Sequence, residues 1–109
     1  MHADSTTSAP LCRVDELPSP DRLAKVVAAD GTAWCVVGDG DGWLATQASC
    51  PHRGRDLSVC GIVEDGVLTC LGHLWQWNLR EGGAALGAAE RPLRVVRLAL
   101  RGDALHLPG

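Results

Sequence analysis

The chain has 109 residues, 13 acidic against 10 basic, a formal net charge of −3 and five cysteines. That length suits one domain, and a domain this small buries only part of its chain surface, so a bound metal would add stability. The acidic balance argues against a nucleic-acid partner, and no apolar run approaches the roughly 20 residues that span a bilayer.

The charge is uneven along the chain. Residues 1–49 carry seven acids and three bases, and residues 50–109 carry six acids and seven bases. Any positive surface is therefore expected near or after residue 50. The opening "MHADSTTSAP" has neither a basic start nor an apolar stretch of signal-peptide type, and reads as a flexible tail over 1–10. The expected location is the cytoplasm, where thiols stay reduced, and an odd number of cysteines cannot pair fully within one chain. Metal binding is the leading use for them.

After the tail, "LCRVDELPSPDRL" holds two prolines, which suit turns or strand ends. Short apolar runs then alternate with turn signals. "LAKVVAA" and "TAWCVV" flank Asp30-Gly31, and "GDGDG" leads into "WLATQ". "GIVE" and "VLTC" flank Asp65-Gly66, while "LALR" and "ALHL" flank Gly102-Asp103. Such pairs supply the positive φ angles of two-residue hairpin turns, and strands at this spacing predict an all-β sandwich or barrel. "GGAALGAA" (82–89) reads as a flexible loop. In "RPLRVVRLALR" the arginines at 91, 94, 97 and 101 fall at helical spacing. A strand with Val96, Leu98 and Leu100 on one face accounts better for the Gly-Asp turn that follows, and the arginines then read as a solvated face.

The chemistry-bearing residues lie in "CPHRGRDLSVCGIVEDGVLTCLGH" (50–73). Cys50 and His52 are one residue apart, Cys70 and His73 two apart, and turn-forming residues bound each pair. The Asp65-Gly66 hairpin can bring the two loops side by side, so that two thiolates and two imidazoles converge. A Cys2His2 zinc site would satisfy a tetrahedron, although the usual zinc finger does not alternate Cys, His, Cys, His. A Cys–His catalytic dyad uses only half of the residues. A [2Fe–2S] cluster with Cys50 and Cys70 on one iron and His52 and His73 on the other uses all four, and the spacing favours it. Cys60 lies outside both pairs and reads as a small buried or half-buried residue; Cys12 and Cys35 lie well before them, Cys35 within an apolar strand.

"CPH" at 50–52 and "CLGH" at 70–73 resemble the cluster motifs of Rieske proteins. The wider "CPHRGRDLSVCGIVEDGVLTCLGHLWQWN" is most similar to the Rieske ferredoxins of multicomponent toluene, alkene and related diiron monooxygenases. The resemblance implies the all-β Rieske fold over residues 11–109: an antiparallel β-sandwich base and a cluster-binding subdomain at about 46–82. It implies one [2Fe–2S] cluster and a monomeric, non-catalytic carrier. Electrons would pass from an NAD(P)H-dependent flavoprotein reductase to a diiron oxygenase, with no nucleic-acid or membrane partner. The ferredoxin of a ring-hydroxylating dioxygenase is the alternative, and a zinc-binding interaction module a remote one.

Further expectations follow from the resemblance. Respiratory-type Rieske proteins tie their cluster loops with a disulfide. The matching positions here are Arg55 and Leu71 or Gly72, so that tie is missing. High-potential members continue past the second His through a Ser and a Tyr whose hydroxyls donate to sulfur, where this chain has Trp75 and Trp77. Backbone N–H groups after Cys50 and Cys70 are expected to face sulfur, Pro51 and Leu71 to give apolar cover, and Trp75 to pack beneath the second loop with Trp77. Arg53 and Arg55 flank the first loop, where they could steer an acidic partner.

Overall fold

A computed structural model describes residues 9–17, 19, 22–40, 42–51, 54–87 and 89–108. The expected tail over 1–10 and the residues His52 and Arg53 lie largely or wholly outside them. In chain order the strands are β1 (Cys12–Arg13), β2 (Ala24–Val27), β3 (Ala33–Gly38) and β4 (Trp43–Gln47). A short helix, α1 (Leu57–Cys60), comes next. Then follow β5 (Gly61–Glu64), β6 (Val67–Cys70), β7 (Trp75–Asn78), β8 (Ala84–Leu86), β9 (Val95–Arg101) and β10 (Ala104–His106).

The described strands form a six-stranded sheet, ordered β1-β10-β9-β4-β3-β2, and a four-stranded sheet, ordered β5-β6-β7-β8. Every pairing is antiparallel. The turns explain the register. Asp65 and Gly66 have φ of 50° and 78°, the two positive angles that a tight turn of right-handed twist demands, and they pair Glu64 with Val67. Between β2 and β3, the Ala28 N–H donates to the Thr32 carbonyl at 2.8 Å, and the Thr32 N–H donates to the Asp30 carboxylate at 2.9 Å.

Alternation sorts the side chains of the large sheet onto two faces. Cys35, Val37 and Leu44 point one way and pack with Leu57, Leu68, Trp77, Leu79 and Leu93 between the sheets. Trp34, Val36 and Ala45 point the other way and pack with Leu11, Cys12, Leu98 and Leu105. Both faces are thus buried, which gives β3 its continuous apolar run. "RPLRVVRLALR" contributes a strand, β9, as the Gly-Asp turn implies, with Leu98 buried and Leu100 exposed.

The segment "GGAALGAA" differs from its expected loop. Ala84–Leu86 forms β8, with Asn78 opposite Ala84, Trp77 opposite Ala85 and Gln76 opposite Leu86. The Gly83 N–H reaches the Asn78 carbonyl, and Gly83 in turn accepts from Leu93 at 2.9 Å. Backbone hydrogen bonding to β7 makes this strand, and its small side chains carry almost no periodic signal.

One ion network welds the two sheets at the end of the hairpins. Asp39, in the β3–β4 turn, is only 8% exposed at its side chain. It accepts from Arg97 of β9 at 3.0 Å and from Arg80, just after β7, at 3.3 Å; Arg80 also reaches Asp65 at 3.3 Å. Among the described residues no helix is long and apolar enough to cross a membrane.

Candidate metal centre

The first loop leaves β4 and closes on itself. The Cys50 N–H donates to the Arg55 carbonyl at 2.8 Å, and the Gly54 N–H donates back to the Cys50 carbonyl at 2.7 Å. Ser49 and Asp56 bridge below it. Asp56 then caps α1, accepting from the Ser58 N–H at 2.9 Å and the Ser58 hydroxyl at 2.6 Å, and pairs with Lys25 at 3.1 Å. Its carboxyl is held below the ordinary carboxylate value, chiefly by the Ser58 hydroxyl and then by Lys25. Gln47 braces the loop from the base. Its amide donates to the Ser49 carbonyl at 2.8 Å and accepts from the Arg94 N–H at 2.8 Å.

The second loop is a turn from Cys70 to Leu74. The Leu74 N–H donates to the Cys70 carbonyl at 2.7 Å, and Leu74 adopts a φ of 60° to make it. Leu71 is tied to α1 through its N–H to the Cys60 carbonyl at 2.8 Å.

These loops set Cys50 and Cys70 side by side. Both are buried, at 3% and 1% exposure, and belong to one core cluster. Burial raises the Cys70 thiol above its ordinary 9.0, the Cys50 thiol adds to this, and the Gly72 and His73 N–H groups aimed at the Cys70 sulfur oppose it. Two buried thiols in one cluster are a donor set that fits a metal group. His73 is exposed, three residues past Cys70. Among the described residues, no three His, Cys, Asp or Glu side chains gather on one point that could hold a single ion. The pairing brought together is Cys50 with Cys70.

The neighbours divide between cover and surface. Trp75 stands directly opposite Cys70 across β6 and β7, is 7% exposed and meets Trp77 edge-on at 6.2 Å between ring centroids. Trp77 is fully buried and donates its indole N–H to the Arg91 carbonyl at 2.8 Å. Pro51 is half-buried, whereas Leu71 is exposed and gives only partial cover, because its backbone is held to α1 and its side chain turns outward. Cys60 is half-buried beside this core. Cys35 is fully buried, and burial, with the Asp56 charge adding and Lys25 opposing, pushes its thiol up to about 11. Sequence reasoning missed Gln47 and Asp56. The "DLS" after the first motif, an Asp ahead of a short helix, was the available signal for the second of these.

Residues 7–97 match the Rieske [2Fe–2S] domain family. The chain is 38% identical over 80 residues to the methanesulfonate monooxygenase ferredoxin subunit of Methylosulfonomonas methylovora, covering 73% of this chain and 63% of that protein. It is 36% identical over 58 residues to the alkene monooxygenase ferredoxin component of Xanthobacter autotrophicus, covering 53% of this chain and 47% of the relative. The matched stretches thus span less than two thirds of either relative. In fold, the chain resembles the Sphingomonas yanoikuyae B1 ferredoxin, with a TM-score of 0.79 at 16% identity over 94% of this chain and 99% of the other. The match across most of its length identifies the chain as a member of the Rieske [2Fe–2S] domain family, whose cofactor is one [2Fe–2S] cluster.

Proposed function

We propose that the chain is a cytoplasmic electron carrier, working as a monomer. It takes single electrons from an NAD(P)H-dependent flavoprotein reductase and hands them to an oxygenase, which the sequence resemblance makes a diiron monooxygenase. Cys50 and Cys70 hold one iron and His52 and His73 the other. The cluster, when bound, supplies one-electron uptake and release; the chain supplies burial, hydrogen bonds and a contact surface. The observation that carries this reading is the buried Cys50–Cys70 pair with His73 exposed three residues further on.

In this reading the two cysteines keep water from the sulfur side. The Gly72 and His73 N–H groups stabilise negative charge on the Cys70 sulfur. His73 meets solvent, and exposed Leu71 and Leu74 flank it at 52% and 66%. That patch suits the small, transient encounters of electron transfer. The names of the two relatives differ in substrate, a sulfonate against an alkene, and share the ferredoxin role, which is the part carried over to this chain.

The test is spectroscopic and then kinetic. Anaerobically purified protein should show a Rieske-type visible spectrum and a reduced-state paramagnetic signal, and should accept electrons from NADH through a flavoprotein reductase. A colourless, zinc-loaded protein would replace this proposal with the Cys2His2 module.

A further inference from the structure

The two cysteine loops meet at a second place besides their thiols. A Cβ built on Gly72, in the second loop, would run into Nε and Cδ of Arg55, from the first, and lie 3.1 Å from its Cζ. Gly72 is not among the positive-φ residues, so its backbone does not call for glycine. What a side chain at 72 would do is displace the Arg55 stem that lies across it. Arg55 is itself anchored at the root of its loop, since its carbonyl accepts the Cys50 N–H at 2.8 Å. No ion pair of Arg55 with a carboxylate is found among the described residues. No disulfide joins the two loops, since none of the five cysteines is disulfide-bonded.

We propose that Arg55 is a positioning residue for the cluster: its side chain, laid across Gly72, clasps the two ligand loops and keeps a positive charge beside the Cys70 turn. The proposal rests on Cys50 and Cys70 as ligands. Its physics has two separable parts. The aliphatic stem and planar guanidinium pack on the bare glycine and restrain the loops against opening. The charge favours whichever cluster state is more negative, which is the reduced one, and salt weakens that effect because the side chain is exposed.

Three variants of the holoprotein separate these parts. Arg55→Ala removes stem and charge. Arg55→Met keeps a stem and removes the charge. Gly72→Ala keeps the charge and the N–H donor but pushes the stem aside. The readouts are the decay of visible absorbance in excess chelator and the midpoint potential by anaerobic titration at low and high salt. Arg55→Ala and Gly72→Ala are expected to lose the cluster about tenfold faster than wild type, the lower end of what outer-shell changes cost, whereas Arg55→Met stays near wild type. Arg55→Ala and Arg55→Met should both shift the midpoint downward, by less at high salt. Wild-type decay in both Arg55→Ala and Gly72→Ala, or a wild-type midpoint in both Arg55→Ala and Arg55→Met, overturns the proposal. A wild-type protein lacking the Rieske spectrum overturns the ligand assignment instead.

Discussion

Replacing Asp39 by Asn tests how the two sheets are held in register. The carboxylate is 8% exposed and bridges Arg97 at 3.0 Å and Arg80 at 3.3 Å, joining the six-stranded sheet to the segment that follows β7 of the four-stranded one. Removing one partner of a fully buried pair costs about 3–5 kcal/mol. Here the two arginines left behind are 54% and 55% exposed and can rehydrate, and an exposed pair is worth about 0–1 kcal/mol. Asn keeps the volume and one acceptor, so the expected loss lies between these limits, at about 1–2 kcal/mol. For a domain of this size that lowers Tm by about 4–16 °C. The effect has a definite pH dependence. Burial alone would raise the Asp39 carboxyl, but the hydrogen bonds and charges of Arg97 and Arg80 outweigh it and hold the group below its ordinary 3.8. A carboxyl lowered in the folded state stabilises fully above its unfolded value, and that contribution is lost as pH falls through the folded one. The gap between wild type and Asp39→Asn should therefore be full at neutral pH and close as pH falls below the carboxyl's ordinary 3.8 and through its lowered folded value. Urea unfolding followed by tryptophan fluorescence across this range measures it. Asp65→Asn is the control, since Asp65 is 94% exposed and its Arg80 pair should contribute little. An unchanged midpoint for Asp39→Asn at pH 7, or a gap that persists in acid, would refute the reasoning.

Cys50→Ser or Cys70→Ser should abolish the visible spectrum and much of the folded protein, while Cys60→Ser should leave the spectrum intact; a bleached Cys60 variant would reject the ligand assignment. Trp77→Phe empties part of a fully buried site and strands the Arg91 carbonyl, so it should cost about 2–4 kcal/mol by denaturant titration. Cys35, with its thiol at about 11 and no exposure, should resist thiol-labelling reagents in native protein at pH 8 and react only on unfolding. The midpoint potential should fall near the low end of the roughly −150 to +300 mV Rieske range, because Trp75 and Trp77 carry no hydroxyl to donate to sulfur. A titrated midpoint well above zero would remove the ferredoxin role.

What could be read from the sequence was whatever is decided locally. Asp65-Gly66 announces its turn because two successive positive φ angles are tolerated by few residue pairs, and that turn alone aligns β5 with β6. The proposed ligand pairs stand out for the same reason, each being confined to a few successive residues. The arginines at 91, 94, 97 and 101 looked like one helical stripe, yet they have four different surroundings. The Arg91 carbonyl accepts from Trp77, Arg94 lies over the Trp34 ring at 5.1 Å, Arg97 pairs with Asp39, and Arg101 is exposed at the end of β9. Their spacing is a coincidence that only the sheet resolves. Asp39 reads as a turn residue among glycines, and its burial is created by arginines 41 and 58 positions away. Arg55 reads as a steering charge until Gly72 is found beneath it. In each case the side chain's chemistry was visible and its partner was not, since pairing across sheets depends on register that the chain sets far away. A ligand must sit near its loop's turn, so spacing betrays it. A residue that braces a loop can come from any strand that passes, as Gln47 and Arg94 do for the Cys50 loop, and no spacing in the sequence marks it.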